Sequence, residues 1–338
     1  MVGGNAKMTR KLASIRMIGS ISPIEGADNI ELAHVDGWQC VVKKGEFIAG
    51  QLCVYFEIDS FLPIRPEKEG FRLRTIKLRG KISQGLAIPF HSFPGIECDK
   101  ADILGSDVTE LLGVLKYDPP IPAQLAGICK GNFPSFIRKI DQEHVQNLWH
   151  KIKDCEEHFE VTIKLDGSSC TYYLNDGIFG VCSRNLELKE DENNTFWKIA
   201  KRHDIESILR NYGKNIALQG EVIGEGIQGN PEKIKGQEFY LFDIWDIDRQ
   251  QYLDPEERAV LWSKCLKDRG VCWCPYAEEF KMLAPRLSQF KDINELLDAA
   301  NGKSLNSGMR EGIVFKSMEI GSGLRFKVIS NEYLLKGY

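Results

Sequence analysis

No apolar run in the 338-residue sequence is long enough to span a bilayer as a helix. The opening stretch MVGGNAKMTRKLASIRMIG is too polar for a secretory leader, and its glycines at 3 and 4, not 2, give no myristoylation signal. There is no internal repeat and no biased low-complexity tract. A net charge of −4 withholds the global basic field of a non-specific nucleic-acid binder, so any such surface must be a local patch. The sequence also lacks the second cysteine pair that would turn CWC at 272–274 into a zinc site; buried strand cysteines are the expected reading. The 10 cysteines are scattered, which points to reduced thiols and an intracellular setting, cytoplasm or nucleus.

What is present suggests two domains. Residues 1–115 read as short strands rich in β-branched and aromatic residues, punctuated by Gly, Pro, Asn and Asp. That pattern fits a small Greek-key barrel of the OB type. Within it, FRLRTIKLRGKIS carries a basic stripe. Strand alternation puts Arg72 with Arg74 on one face and Lys77, Arg79 and Lys81 on another, either a solvated face or a docking surface for oligonucleotides. The span 116–136, with its clustered prolines, is expected to be a linker. From 137 to 338 the elements lengthen. A short helix over IDQEHVQNLWHKI is followed by three strands in HFEVTIKLDGSSCTYYLNDGIFGVCSRN, with LNDG as a hairpin turn. NTFWKIAKRHDIESILRNYG is expected to be one helix, capped by Asn194 and ended by Gly213, and further strands and helices follow. The class is α+β, antiparallel sheets with helices packed on them.

One stretch breaks an ordinary rule. In TIKLDGSSC, Lys164 stands where a buried strand hands over to a tight turn, an unfavourable place for an amine unless it is paired or reactive. An amine that attacks phosphorus must be neutral, so partial desolvation or neighbouring cations that lower its pKa are expected around it. Gly167 would let backbone and phosphate approach closely.

KLDG resembles the K-x-D-G motif of the covalent lysyl-nucleotidyltransferases, which include ATP-dependent DNA ligases, RNA ligases and mRNA capping enzymes. SRN (183–185), GEVIG (220–224), FYLFDIW (239–245), EGIVFK (311–316) and RFK (325–327) resemble the superfamily's later motifs in their order. With an OB-like domain ahead of the lysine and IRKIDQEHVQN upstream of it, the chain resembles the ATP-dependent RNA ligases typified by the Naegleria and Deinococcus enzymes. The resemblance implies a nucleotidyltransferase domain of the DNA-ligase, ATP-grasp-like type. It also implies ATP with Mg²⁺ or Mn²⁺ as cofactors, and joining of RNA 3′-hydroxyl and 5′-phosphate ends, at nicks in duplex RNA; since each step needs only one site, a monomer is expected.

Carried over residue by residue, the resemblance makes Lys164 the nucleophile, with Thr162 and Ile163 beside the nucleotide. Arg184 would contact ribose or phosphate, and Asp166, Glu221 and Glu311 would serve the metal, Glu221 also the ribose. Phe242, in the row Tyr240, Phe242, Ile244, would stack on adenine with Val314 on its other face, in preference to Tyr240. Lys316, Arg325 and Lys327 would line the triphosphate, with Arg138 and Lys139 as lesser contacts to pyrophosphate or RNA. The family pattern in the last motif is K-x-K, and here Arg325 replaces the first lysine. The bland readings are a turn-stabilising Asp166, a surface salt bridge between Arg310 and Glu311, a core Phe242 and a surface Arg184. The alternatives in function are a DNA ligase, a GTP-using capping enzyme, or a non-catalytic RNA-binding protein whose OB domain is the working part.

Overall fold

The computed structural model describes residues 11–62, 70–96, 103–117, 127–281, 283–306 and 308–336. The first ten residues, Cys98 and the proline-rich part of the expected linker, 118–126, lie outside them.

The N-terminal region is an all-β barrel of the OB type. Strands β1 (Ala13–Met17), β5 (Leu52–Glu57) and β6 (Gly85–Pro89) form one three-stranded sheet in the order β1-β5-β6. The second sheet is β2 (Ser20–Pro23), β3 (Ile30–Val35) and β4 (Trp38–Lys43), in that order. Alternation in β4 sends Trp38, Cys40 and Val42 inward against Tyr55 and Ala87. The basic stripe is not continuous. Arg79 and Gly80, both at positive φ, turn a hairpin between Ile76–Leu78 and Lys81–Ser83. Lys77 faces Ile82 and Lys81 faces Leu78, so the two lysines lie on opposite faces of the hairpin, contrary to the expected common face.

The C-terminal region has two sheets. The larger, eight-stranded, runs Cys129–Asn132, Leu186–Leu188, β9 (Ile178–Ser183), β8 (Ser168–Asn175), β10 (Ile216–Gly224), β11 (Gln237–Asp246), Gln251–Tyr252, with Cys272–Trp273 also paired to β11. The smaller has four strands: Glu143–His144, β13 (Arg325–Ile329), β12 (Gly312–Ser317) and β7 (Phe159–Lys164). The expected linker therefore ends early. Cys129–Asn132 is a strand of the large sheet, and Phe133 and Phe136 pack on Tyr173 and Trp245.

The β8–β9 hairpin turns at Asp176-Gly177, both at positive φ, as a two-residue turn between twisted strands requires. The expected single helix from Asn194 is two, α2 (Thr195–Arg202) and α3 (Ile205–Tyr212), broken where Asp204 takes a left-handed φ of 53°. Buried His203, bonded to the Arg269 carbonyl at 2.7 Å, anchors the break. The Asn194 side chain does cap α2, accepting from Phe196 and Trp197 N–H, a cap worth about 1 kcal/mol. Both helices, with α4 (Pro255–Leu261), cover the outer face of the large sheet, and α1 (Val145–Ile152) and α5 (Ile293–Ala299) cover the small one. The chain's last described segment is a short helix, α6 (Asn331–Lys336).

The barrel docks on α1 through a buried cation. Arg16 donates to Asn147 Oδ1 at 2.7 Å and to the Gln146 carbonyl, and Trp38 stacks at a tilt on His144 with ring centroids 4.9 Å apart.

Candidate active site

The handover at Lys164 is a crossing between sheets. Lys164 is the last residue of β7, in the small sheet, and Ser168 is the first of β8, in the large one. Gly167 makes the crossing possible because a Cβ there would lie 2.4 Å from the Val222 carbonyl of β10. The close approach it permits is thus to a neighbouring strand. β7 pairs antiparallel with β12 in the register Lys164↔Gly312, Thr162↔Val314, Glu160↔Lys316. Alternation sends Phe159, Val161 and Ile163 into the core and leaves Glu160, Thr162 and Lys164 on the other face, toward the large sheet.

Between the sheets lies a cleft of about 730 Å³. Thr162, Ile163, Lys164, Val314, Lys316 and Lys327 line it from the small sheet, and Glu221 and Phe242 from the large one. Arg184, just beyond β9, and Glu311, just before β12, complete these walls. The barrel contributes Trp38, Thr75 and Gln84. Of the expected site residues, Asp166, Arg325, Arg138 and Lys139 are not in the cleft wall.

Lys164 is half-buried, and its amine donates to Glu311 Oε2 at 2.5 Å. Burial alone would lower its pKa, but the charges of Glu311, Glu221 and Asp166 outweigh burial and raise it. This corrects the expectation of a lowered pKa: the neighbours are carboxylates, and they hold the amine protonated. Glu221, half-buried, is pushed up to about 8 by desolvation and by the charges of Glu311 and Asp166, despite the pull of Lys164. Asp166 Oδ2 accepts from the hydroxyl of Tyr333 in α6 at 2.5 Å. Glu311 is thus not spent on Arg310, which is buried and donates to Glu279 and to the carbonyls of Ala299, Ala300 and Asn301.

The other end of the seam between the sheets is charged and closed. Asp243, fully buried, accepts from Arg258 at 3.0 Å and from Arg325 at 2.6 Å, and lies 3.5 Å from the Lys316 amine. Glu160 accepts from Arg258 at 2.9 Å. Burial would raise Asp243, but Arg325, Lys316 and Arg258 together hold it below the usual carboxylate range. Burial, aided by Arg258 and Arg325, keeps Lys316 below its ordinary value although Asp243 and Glu160 pull upward. Arg325 is occupied by this network and by the Tyr252 ring, 3.6 Å beneath its guanidinium. The network is built from positions far apart in sequence, and strand patterning gives no sign of it.

Phe242 owes its position to a bulge. The β10–β11 register runs Gly220↔Leu241, then Gln219↔Asp243, so Phe242 has no opposite partner. The bulge breaks the expected row Tyr240, Phe242, Ile244: Ile244 joins the helix-covered core, while Phe242 turns to the cleft. Tyr240 does not line the cleft. The Lys316 amine donates to the Phe242 carbonyl and lies 5.6 Å from its ring.

Arg184 is largely exposed at the rim, 3.7 Å from Asp141, a cleft residue that the sequence did not single out. Lys139 donates to Asn185 at 3.2 Å, and the Arg138 carbonyl accepts from Gln219. Tyr333, Asp141 and the barrel residues Trp38 and Gln84 were not legible as site residues, because nothing local marks them.

Among the described residues no group of three or more His, Cys, Asp or Glu is arranged to enclose a metal ion. Glu221, Glu311 and Asp166 instead offer hard oxygens around the lysine. Such a set suits Mg²⁺ or Mn²⁺, ions that keep several waters and take few protein ligands beside substrate phosphates.

Comparison with known proteins adds the following. Residues 157–329 match the family model described as RNA ligase, and residues 12–90 match one described as an OB-fold domain. No curated protein matches the chain. Among solved structures, a mutant Naegleria gruberi RNA ligase with ATP and Mn is 47% identical, with a TM-score of 0.80, over 96% of this chain and 99% of that one. The same protein with AMP and Mn, in another mutant form, is 47% identical with a TM-score of 0.80, over 97% and 99% of the two chains. Its complex with PPi is 46% identical with a TM-score of 0.79, over 97% and 99%.

Proposed function

The chain belongs to the RNA ligase family, and from that premise we propose that it seals 3′-hydroxyl and 5′-phosphate RNA ends, at nicks in duplex RNA, through an adenylate on Lys164. The observation that carries the reading is the Lys164 amine itself. It is fixed at a strand end, held by Glu311, and opens on a cleft with an aromatic face and several cations.

In the first step the amine attacks the α-phosphorus of ATP. A P–N bond forms, the bond to the bridging oxygen breaks, and pyrophosphate leaves. The amine must shed a proton first, and Glu311 Oε2 is the acceptor already in contact with it. Phe242 and Val314 form the walls against which adenine stacks, Glu221 receives a ribose hydroxyl or a hydrated cation, and Thr162 and Ile163 floor the nucleotide site. Lys327 and Arg184 offset phosphate charge, while Lys316, in the cleft wall but bound to the Phe242 carbonyl and beside Asp243, fixes the wall behind them. A divalent ion, with its waters held by Glu221, Glu311 and Asp166, would polarise the phosphate oxygens. Arg325 holds Asp243, and through it the seam behind Phe242.

AMP then passes from Lys164 to an RNA 5′-phosphate, and the 3′-hydroxyl attacks that phosphorus and expels AMP. Trp38, Thr75 and Gln84 bring the barrel to the same cleft, which supports a barrel that steers the RNA ends rather than a remote anchor. Each step uses one site, which suits a monomer. Nine free cysteines among the described residues suit a reducing compartment.

The test is incubation with α-labelled ATP and Mg²⁺ or Mn²⁺, followed by denaturing electrophoresis. Wild type takes up label and Lys164→Ala takes up none; label from GTP alone would move the reading to a capping enzyme. Nicked RNA and DNA duplexes then identify the acceptor, and sealing confined to DNA would overturn the RNA substrate.

A further inference from the structure

Asp166 is held by a side chain 167 residues further along the chain. The Tyr333 hydroxyl donates to Asp166 Oδ2 at 2.5 Å, and the tyrosine is 6% exposed, so its ring is packed in place. The helix that carries it is tied down on both sides of the lysine. Ser330 N–H donates to the Glu311 carbonyl at 2.9 Å, and the Ser330 hydroxyl accepts from the Tyr333 N–H at 3.0 Å. The barrel reaches the same helix: Lys77 donates to the Leu335 carbonyl at 2.8 Å, and Gln84 reaches Asn331 Oδ1 at 3.4 Å. α6 therefore supports Asp166 by its phenol and Glu311 by its backbone, and it rests against the barrel.

We propose that Tyr333 is a positioning residue for adenylate formation: its hydroxyl sets the Asp166 carboxylate, and with it the charge beside Lys164. A carboxylate that must orient a hydrated cation has to be fixed in rotation as well as in place, and a turn residue such as Asp166 lacks the neighbours to do this alone. Tyr333 contributes a donor, and α6 makes the position of that donor depend on the barrel. The inference rests on the ligase reading given above.

The experiment compares wild type, Tyr333→Phe and Tyr333→Leu in single-turnover labelling of Lys164, in direct ATP binding, and in thermal melting. Tyr333→Phe keeps the ring and removes the hydroxyl. Its adenylation rate at saturating ATP is expected to fall roughly tenfold to a hundredfold, the size of one charge-assisted hydrogen bond. Its ATP affinity and Tm should stay near wild type, while the Mn²⁺ concentration for half-maximal labelling rises. Tyr333→Leu should melt lower and show the same displaced Mn²⁺ requirement. Loss of packing alone lowers the labelled fraction without moving that requirement. An unaltered rate in Tyr333→Phe, or a loss that only follows the melted fraction, would overturn the proposal. A wild type that takes no label from ATP would overturn the ligase reading instead.

Discussion

Lys164 and Lys316 stand on neighbouring strands, at opposite ends of one seam between two sheets, and their surroundings push their amines in opposite directions. The Lys164 side chain is 28% exposed and that of Lys316 is 3% exposed. Both have carboxylates nearby. At Lys164, Glu311, Glu221 and Asp166 outweigh burial, and the pKa rises. At Lys316, burial prevails because Arg258 and Arg325 share the same carboxylates, and the pKa falls. A lowered pKa is a familiar mark of a nucleophilic lysine, yet here it belongs to the amine bound to the Phe242 carbonyl behind the nucleotide site. The lysine in the chemically useful place is the one whose proton is held. What distinguishes them is access: Lys164 opens on the cleft at a sheet crossing, whereas Lys316 closes a buried ion network.

The sharpest way to break this contrast is at Asp243. Asp243→Ala leaves Arg258, Arg325 and Lys316 facing one another without their shared counter-charge. Urea unfolding should show a loss of ~3–5 kcal/mol, while the folded fraction still labels Lys164. If folding were hardly affected, the network would not be the closed structural unit described.

At the open end the reverse holds. Glu311→Gln preserves shape but removes the charge in contact with Lys164. Adenylation is expected to drop ~10–100-fold, as when a group that holds a metal's surroundings is lost. Stability should change by about 1 kcal/mol or less, since the pair is partly exposed. A large loss of stability with normal adenylation would make Glu311 a structural partner like Asp243.

A third effect is one of pH. Glu221 titrates near 4.5 when unperturbed and is pushed up to about 8 in the fold. Between those values the folded form binds more protons than the unfolded one, so stability of the nucleotide-free protein declines as pH rises through that window and levels above it. Melting followed from pH 5 to 9 should show this slope, and Glu221→Gln should flatten it. An identical slope in the variant would assign the effect to other groups.

Much of the architecture was legible in the sequence because it is written in local patterns. β-Branched and aromatic residues between turn signals marked the barrel strands, Asp176-Gly177 marked a hairpin, and Asn194 marked a helix start. The break at Asp204 was not legible, because the helix periodicity continues across it and the cause is a contact between His203 and the distant Arg269 carbonyl. The strand at the end of the expected linker was not legible for a similar reason: the sequence around Cys129 is poor in strand formers, and Leu186–Leu188 supplies the pairing. Within the site, Thr162, Ile163, Lys164, Arg184, Glu221, Phe242, Glu311, Val314, Lys316 and Lys327 line one cleft. Arg325 does not, since its guanidinium donates to the buried Asp243 and lies over the Tyr252 ring.

The sequence by itself determined which chemistry was available. A lysine before a tight glycine turn, a glutamate between two glycines and an ordered set of motifs depend only on residues near one another in the chain. Tertiary structure alone decided how charge was divided among them. A bulge sends Phe242 to the cleft, and Arg258 and Arg325 draw Asp243 into a closed network. α6 carries Tyr333 back to Asp166, and the barrel adds Trp38, Thr75 and Gln84 to the cleft. Electrostatic energy depends on separation in space and on burial, neither of which is a local property of sequence.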